Sequence, residues 1–230
     1  MSNFHSSKSV ILKNVRLTSM DIFTPGEGMN DGPPKFKVSA IMEPGSEAFK
    51  VGKEAMLEAA KGLWGGNAIS VVKSMAKNSK ALRNGNDKLN DDGSIRAEYA
   101  DMMFISCSNK MKPQIVGPKR INGAFVDILE NGGCSIQGRV VEPPYPITVP
   151  YRGCFVNLKV QMVAGKAFKG SKGELVPNQV YAKLEAVQFV KDGIAFGSGP
   201  NSADGFDDEE VPESKGGGDN DDLMDDEIPF

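Results

Sequence analysis

Residues 151–161 carry the side chains that most directly suggest a binding chemistry. Strand alternation along YRGCFVNLKVQ would place aliphatic residues on one face and Tyr151, Phe155 and Lys159 on the other. Aromatic rings on a solvent-facing strand can stack on nucleic-acid bases, and a neighbouring lysine can contact phosphate. Because every base has a π-face, such a platform tolerates any base sequence. The alternative interpretation is that Phe155 packs beneath a loop.

Cations on two earlier strands predict a path for a phosphate backbone. In the segment KFKVSAIM, Lys35 and Lys37 occupy the polar face, and the first strand contributes Lys13 and Arg16. If these strands pair with their cations on the same side, they form a basic stripe suited to a polyanion. The stripe depends on a strand pairing that the sequence alone does not reveal.

A loop rich in glycine and lysine, GKAFKGSK at residues 165–172, is predicted to close over a bound strand. It lacks the G-x-x-x-x-G-K-[ST] order of a phosphate-binding loop, so it does not indicate a nucleotide hydrolase. The side chains predicted to contact nucleic acid are Lys13, Arg16, Lys35, Lys37, Tyr151, Arg152, Phe155, Lys159, Lys166, Phe168 and Lys169.

The charge of the chain is divided unevenly between its two ends. The net charge of the 230 residues is -3, but residues 204–230 alone carry 12 acids and one lysine, a net of -11. The preceding residues therefore carry a net of +8. A basic body followed by an acidic run indicates a polyanionic partner, with the run serving as an interaction segment. The alternative is a solubilising tail on an ordinary enzyme.

Cysteine and histidine usage argues against several kinds of site. Cys107, Cys134 and Cys154 are odd in number and show no C-x-x-C spacing, so neither a disulfide framework nor a zinc site is predicted. His5, the single histidine, lies near the N-terminus and offers no base for a nucleophilic mechanism. We therefore predict three buried, reduced thiols, no cofactor, no metal and no enzymatic activity. No stretch reaches the roughly 20 apolar residues of a membrane span, and a soluble intracellular protein is expected.

One enzymatic alternative remains open, a metal-dependent nuclease. Five acids between residues 87 and 101 are the candidates for its carboxylate ligands, but they occupy a turn-rich segment where solvated acids are the default. These residues are Asp87, Asp91, Asp92, Glu98 and Asp101.

The predicted elements are mostly strands. A single long helix should begin after Ser46, a favourable N-cap, and end at Gly65-Gly66, with a shorter helical piece over residues 68–76. Many short strands without βαβ alternation indicate an all-β fold with an inserted helix, best matched by a five-stranded OB-fold barrel. We assign this barrel to residues 1–198 and a disordered acidic tail to residues 199–230. The predicted strands span residues 10–20, 35–42, 102–108, 151–163 and 180–191, with weaker candidates at 112–116 and 123–129.

The end of the chain combines dense carboxylates with a proline and a terminal aromatic. Such a peptide can dock into a basic, apolar pocket of a partner. It resembles the acidic tip of bacterial single-stranded DNA-binding proteins, in which this type of ending recruits replication and repair enzymes. The matching residues are Asp225, Asp226, Glu227, Ile228, Pro229 and Phe230, with Glu227 standing where aspartate is commoner.

The body resembles instead the single-stranded DNA-binding proteins of bacteriophages. The likeness rests on the helix inserted after the second strand and on the segments YRGCFVNLKV and LEAVQFVKDG. It implies single-stranded DNA as ligand, a role in DNA replication, recombination and repair, and location in the host cytoplasm. It also implies a tail that contacts replisome proteins (polymerase, primase or helicase) and competes for the DNA groove. Self-association is a further expected interaction, and an RNA-binding or chaperone-like barrel is the alternative.

Overall fold

The computed structural model describes residues 2–27, 32–170 and 173–196, and within them the fold is mostly β with one long helix. This confirms the expectation of a β protein with an inserted helix. The strands are β1 (Phe4–Gly26), β2 (Lys35–Met42), β3 (Leu82–Asn84), β4 (Met103–Asn109), β5 (Gln114–Ile121), β6 (Ala124–Ile128), β7 (Cys134–Ile136), β8 (Arg139–Val141), β9 (Phe155–Gly165), β10 (Phe168–Lys169), β11 (Leu175–Val176) and β12 (Gln179–Lys191). The α-helices are α1 (Glu47–Trp64) and α2 (Ala68–Ser74), and 3₁₀ turns cover Gly65–Asn67, Lys77–Ser79, Gly85–Asp87 and Ala97–Tyr99.

Five strands carry the main pairing pattern. β1 pairs antiparallel with β2 and β9, β2 with β4, and β9 with β12, while β12 and β4 pair in parallel. Each of these five strands therefore pairs with two of the others. β12 also pairs with β5, from which β6, β7 and β8 follow as an antiparallel ribbon. The main hydrophobic core contains side chains from all five strands, so they fold as one unit.

The second strand shows how alternation places the core. β2 has the bounds predicted from its sequence, and its alternate residues Phe36, Val38 and Ala40 are buried as predicted. Ile41 points to the other face, where it packs with Tyr99 and Phe104 in a small second cluster. One end of the outer face of β2 and β4 is therefore covered, and the other end remains open.

Helix α1 begins and ends at the predicted signals. The Ser46 side chain accepts a hydrogen bond from the amide of Phe49 at 3.3 Å, and Gly65 closes the helix at φ +56°. Its buried face consists mainly of small residues, which let the helix approach β1 and β9 closely, whereas Phe49 and Leu63 are only partly buried. No described helix is long and apolar enough to cross a membrane.

All three cysteines are buried and unpaired, as predicted. Burial raises the pKa of the Cys107 thiol to about 12, so the thiolate is scarcely populated at neutral pH. Burial also raises the pKa of Cys154. These thiols fill the core as small apolar groups rather than as nucleophiles.

Candidate nucleic-acid interface

A cavity of about 610 Å³ opens where β1, β4, β10 and β12 meet, and we call it the aromatic cavity. It combines three aromatic rings with three lysines, and no Asp or Glu occurs among the described residues that line it. It is lined by Phe4, Lys35, Ser108, Asn109, Lys110, Phe168, Gln179, Tyr181 and Lys183.

The rings come from three separate parts of the chain. Phe4 lies at the start of β1, opposite Gly165, and the short β10–β11 hairpin brings Phe168 beside it. The centroids of these two rings are 6.3 Å apart, with an interplanar angle of 66°. Phe4, Phe168 and Tyr181 remain 45%, 37% and 39% exposed, so their faces are accessible to a ligand. Exposed rings grouped in this way can stack on successive bases.

Strand register places Lys183 of this cavity beside the polar face of β4 and β2. Lys183 on β12 lies opposite Ser108 on β4, and Ser108 lies opposite Lys37 on β2. Directly paired residues share a face of the sheet, so lysines and a serine alternate across three strands. Burial raises the pKa of Tyr181, and its hydroxyl can donate a hydrogen bond. The cavity therefore offers rings to bases and cations to phosphates.

The polar face of β2 and β4 extends the aromatic cavity along the sheet. Ser39 and Ser106 are opposite each other, with their hydroxyl oxygens 3.2 Å apart. The amino group of Lys37 donates a hydrogen bond to the carbonyl of Glu27. The side chains along this strip are polar and half-buried. A nucleic-acid strand that leaves the aromatic cavity can therefore follow the strip without covering exposed apolar groups.

The platform predicted on residues 151–161 is occupied by internal contacts. Tyr151 packs against the main core, and its hydroxyl bonds with the backbone of Gly193, at 2.8 Å to the oxygen and 3.0 Å to the nitrogen. Arg152 donates to the carbonyl of Thr18 at 2.9 Å. The Phe155 ring is close to both Arg16 and Lys191, whose charged groups are 5.8 and 4.7 Å from its centre. The structure does not bring these residues to the aromatic cavity.

The predicted basic stripe of Lys13, Arg16, Lys35 and Lys37 stays a prediction, because its cations do not lie opposite one another where β1 pairs with β2. The register of β1 and β2 sets Lys37 opposite Asp21 and Lys35 opposite Gly26. Arg16 is opposite Ile41, and its guanidinium donates to the carbonyls of Gly153 and Ile194 at 3.0 and 2.6 Å. Lys13 is exposed beside an irregularity in the β1–β9 pairing. Of these four cations, only Lys35 lines the aromatic cavity.

Lys159 lies in a different cavity, of about 370 Å³, with Ile11, Phe125 and Arg120 among its lining residues. Its amino group forms an ion pair with Glu185 at 3.3 Å. The charge predicted to meet phosphate is therefore already compensated within the protein.

The predicted glycine- and lysine-rich loop is the β10–β11 hairpin. It carries Phe168 to the aromatic cavity, whereas Lys169 stays exposed on the hairpin and the Lys166 amide bonds with the carbonyl of Asn3. Ser171 and Lys172 lie outside the described residues. So do the predicted tail residues Asp225, Asp226, Glu227, Ile228, Pro229 and Phe230.

Sequence reasoning missed Phe4, Lys110, Tyr181 and Lys183. Tyr181 and Lys183 alternate with buried residues along β12, so alternation contained the signal for their outward position. No local pattern identifies Phe4, because its place depends on pairing with the end of β9.

Three of the five acids considered as nuclease ligands have local partners. Asp87 pairs with Lys77 at 2.5 Å, Asp92 accepts hydrogen bonds from Ser94, and Asp101 accepts one from the side chain of Asn86. Within the described part of the chain, no three His, Cys, Asp or Glu side chains are grouped to hold a metal ion.

Comparison with known proteins identified one family. A family model described as the single-stranded DNA-binding protein of Enterobacter phage Enc34 matches residues 8–215. No curated protein matched the sequence.

Solved structures of the Enc34 protein show the same fold. The Enc34 protein in complex with single-stranded DNA is 18% identical, with a TM-score of 0.54, over 82% of this chain and 89% of that one. The same protein without a stated ligand has a TM-score of 0.52 at 18% identity, over 84% and 87% of the two chains. A single-stranded DNA-binding protein of bacteriophage T7 is 11% identical with a TM-score of 0.42, over 90% and 99%.

Proposed function

The chain belongs to the family of the Enterobacter phage Enc34 single-stranded DNA-binding protein, and we propose that it binds single-stranded DNA without sequence preference. The observation that carries this proposal is the aromatic cavity, where three exposed rings and three lysines converge without an acidic side chain among the described lining residues. Stacking on rings does not depend on base identity, and lysines read only the phosphate backbone.

We infer further that the five mutually paired strands form an OB-fold barrel. In such barrels the ligand lies on the face of the second and third strands, flanked by the loops after the first and fourth. Here β2 and β4 are second and third, and the β10–β11 hairpin follows the fourth strand, β9. Lys35 on β2 and Ser108 and Asn109 on β4 line the aromatic cavity together with Phe168 of that hairpin, which supports the assignment.

The direct test is a set of titrations with labelled single-stranded DNA, RNA of the same sequence, and duplex DNA. We expect tight binding of single-stranded DNA of any base composition and weaker binding of the duplex, whose bases are not free to stack. Preference for RNA would favour the alternative of an RNA-binding or chaperone protein. Absence of binding to single strands would contradict the proposal.

In the infected cell, the proposed role is to coat and protect single strands during phage DNA replication, recombination and repair. This role requires binding and release without chemistry, so we propose a non-enzymatic protein of the host cytoplasm. The acidic residues after 198 would recruit polymerase, primase or helicase through their apolar end. Support comes from the charge division, a -11 segment following a +8 body, and from the sequence of that end.

Two truncations separate the charge of the tail from its anchor. Deleting residues 204–230 should tighten DNA binding, most visibly at low salt, because a tethered polyanion competes at an effective concentration on the order of millimolar. Deleting Phe230 alone removes no side-chain charge, so it should abolish partner docking and leave DNA affinity nearly unchanged. Titrations with DNA and with a polymerase, primase or helicase measure the two effects. Unchanged DNA affinity after the long truncation would contradict competition by charge.

A further inference from the structure

A second cavity, of about 460 Å³, opens at the other end of β4, and we call it the basic cavity. It forms where β3 pairs with β4 and sets Arg83 opposite Phe104. Its lining residues are Lys77, Asn78, Arg83, Asn86, Asp87, Lys88, Leu89 and Phe104.

Two cations in this cavity share one aromatic ring. The guanidinium of Arg83 is 4.5 Å from the centre of the Phe104 ring, and the amino group of Lys88 is 5.2 Å from it. Asp87 is the one carboxylate among the described lining residues, and it is paired with Lys77 at 2.5 Å. Lys88 forms no ion pair with any residue that the structure describes. The cavity therefore has an excess of positive charge.

The surrounding groups compensate the positive charges of Arg83 and Lys88 poorly. Arg83 is half-buried and donates to the Ser106 hydroxyl at 2.9 Å, but its buried Nε has no hydrogen-bond partner. Burial lowers the pKa of Arg83, and burial together with the nearby Arg83 and Arg96 charges lowers the pKa of Lys88. The two lowered pKa values mean that the surroundings disfavour the charged forms of Arg83 and Lys88. An anion in the cavity would offset that cost.

The polar strip on β4 connects the basic cavity to the aromatic cavity. Ser108 lines the aromatic cavity, Ser106 binds Arg83, and Phe104 forms the floor of the basic cavity. These residues alternate along one face of β4 and span ~13 Å. At ~3.4 Å per stacked nucleotide, that distance corresponds to about four nucleotides.

Resting on the proposed single-strand binding, we infer that the basic cavity holds a backbone phosphate of the same DNA strand that fills the aromatic cavity. Lys88 and Arg83 are the phosphate-binding residues, and Phe104 holds their charged groups beside each other. A DNA strand that reaches both cavities must be longer than a DNA strand that fills the aromatic cavity alone.

Lys88→Gln tests this inference with oligothymidylates of about 3 and about 12 nucleotides. The shorter strand matches the three rings of the aromatic cavity and is shorter than the separation of the two cavities, and the longer one lies within the range of OB-fold sites. The variant should bind the longer strand about tenfold more weakly, the loss expected for one charge-assisted contact. Its salt slope for that strand should be smaller by about 0.7, and its affinity for the shorter strand should match the unmodified protein. Lys88→Arg keeps the charge and should restore binding of the longer strand.

Lys50→Gln is the matched control, because Lys50 is exposed on α1 and lines neither cavity. A thermal melt of each variant checks that the fold is kept. Equal losses for both lengths, or no loss for either, would overturn the inference while leaving the proposed function intact. If the unmodified protein binds neither strand, the proposed function itself fails.

Discussion

Tyr181→Ala is expected to weaken binding of single-stranded DNA by about 5-fold to about 150-fold, equivalent to roughly 1–3 kcal/mol for one stacked base. Tyr181 stands in the aromatic cavity with 39% of its surface exposed, so its ring face can be covered by a base. Phe168→Ala should have a loss of the same order, with an added effect on Phe4, whose ring it contacts. An equilibrium titration with labelled oligothymidylate measures both.

Two variants serve as controls for the aromatic cavity. Tyr181→Phe keeps the ring and should bind nearly as the unmodified protein does, since stacking does not require the hydroxyl. Phe125→Ala removes a ring of the 370 Å³ cavity, where Arg120 already lies 4.0 Å from the ring centre. If Phe125→Ala weakened binding and Tyr181→Ala did not, the strand would follow the other cavity.

Raising the salt concentration from 50 to 200 mM should lower the affinity for single-stranded DNA by roughly 20-fold or more. Each phosphate neutralised by a cation contributes a slope of about -0.7 in log affinity against log salt. The three lysines of the aromatic cavity therefore predict a slope of about -2, and the one phosphate proposed for the basic cavity would extend it to about -2.8. A slope near zero would contradict phosphate binding at both cavities.

Lys183→Gln removes a lysine that forms no ion pair with the residues that the structure describes, and Lys159→Gln removes a lysine that is paired with an acid. Lys183 lines the aromatic cavity, so its removal should reduce the magnitude of the salt slope by about 0.7. Lys159 is paired with Glu185, and its removal should leave the slope nearly unchanged. Equal changes in the two variants would indicate that the strand contacts the whole outer surface.

Local patterns in the sequence determined the elements and the division of charge. Alternation over four apolar residues set the bounds of β2, and Ser46 and Gly65 set the ends of α1. These signals act through hydrogen bonds and burial within a few residues, so they can be read without knowing the fold. The resemblance to phage single-stranded DNA-binding proteins, recognised from two segments and the position of the helix, is confirmed by the family match.

The tertiary structure alone decided which of these residues meet. The register of β1 and β2 sets Lys37 opposite Asp21, so an acidic residue lies beside the cations of the predicted basic stripe. The Tyr151 hydroxyl forms hydrogen bonds with the backbone of Gly193, which follows β12. This contact joins distant segments of the chain, so strand alternation cannot reveal it. Register and turn packing depend on the whole sheet rather than on neighbouring residues.

The aromatic cavity shows the same limit most clearly. Phe4 and Tyr181 come from the first and last strands of the body, and Phe168 comes from a two-residue strand. Each residue type is visible in the sequence, but their convergence requires β1, β9 and β12 to pair in one register. The sequence thus determined that rings and lysines were available, and long-range strand pairing decided which of them line the aromatic cavity.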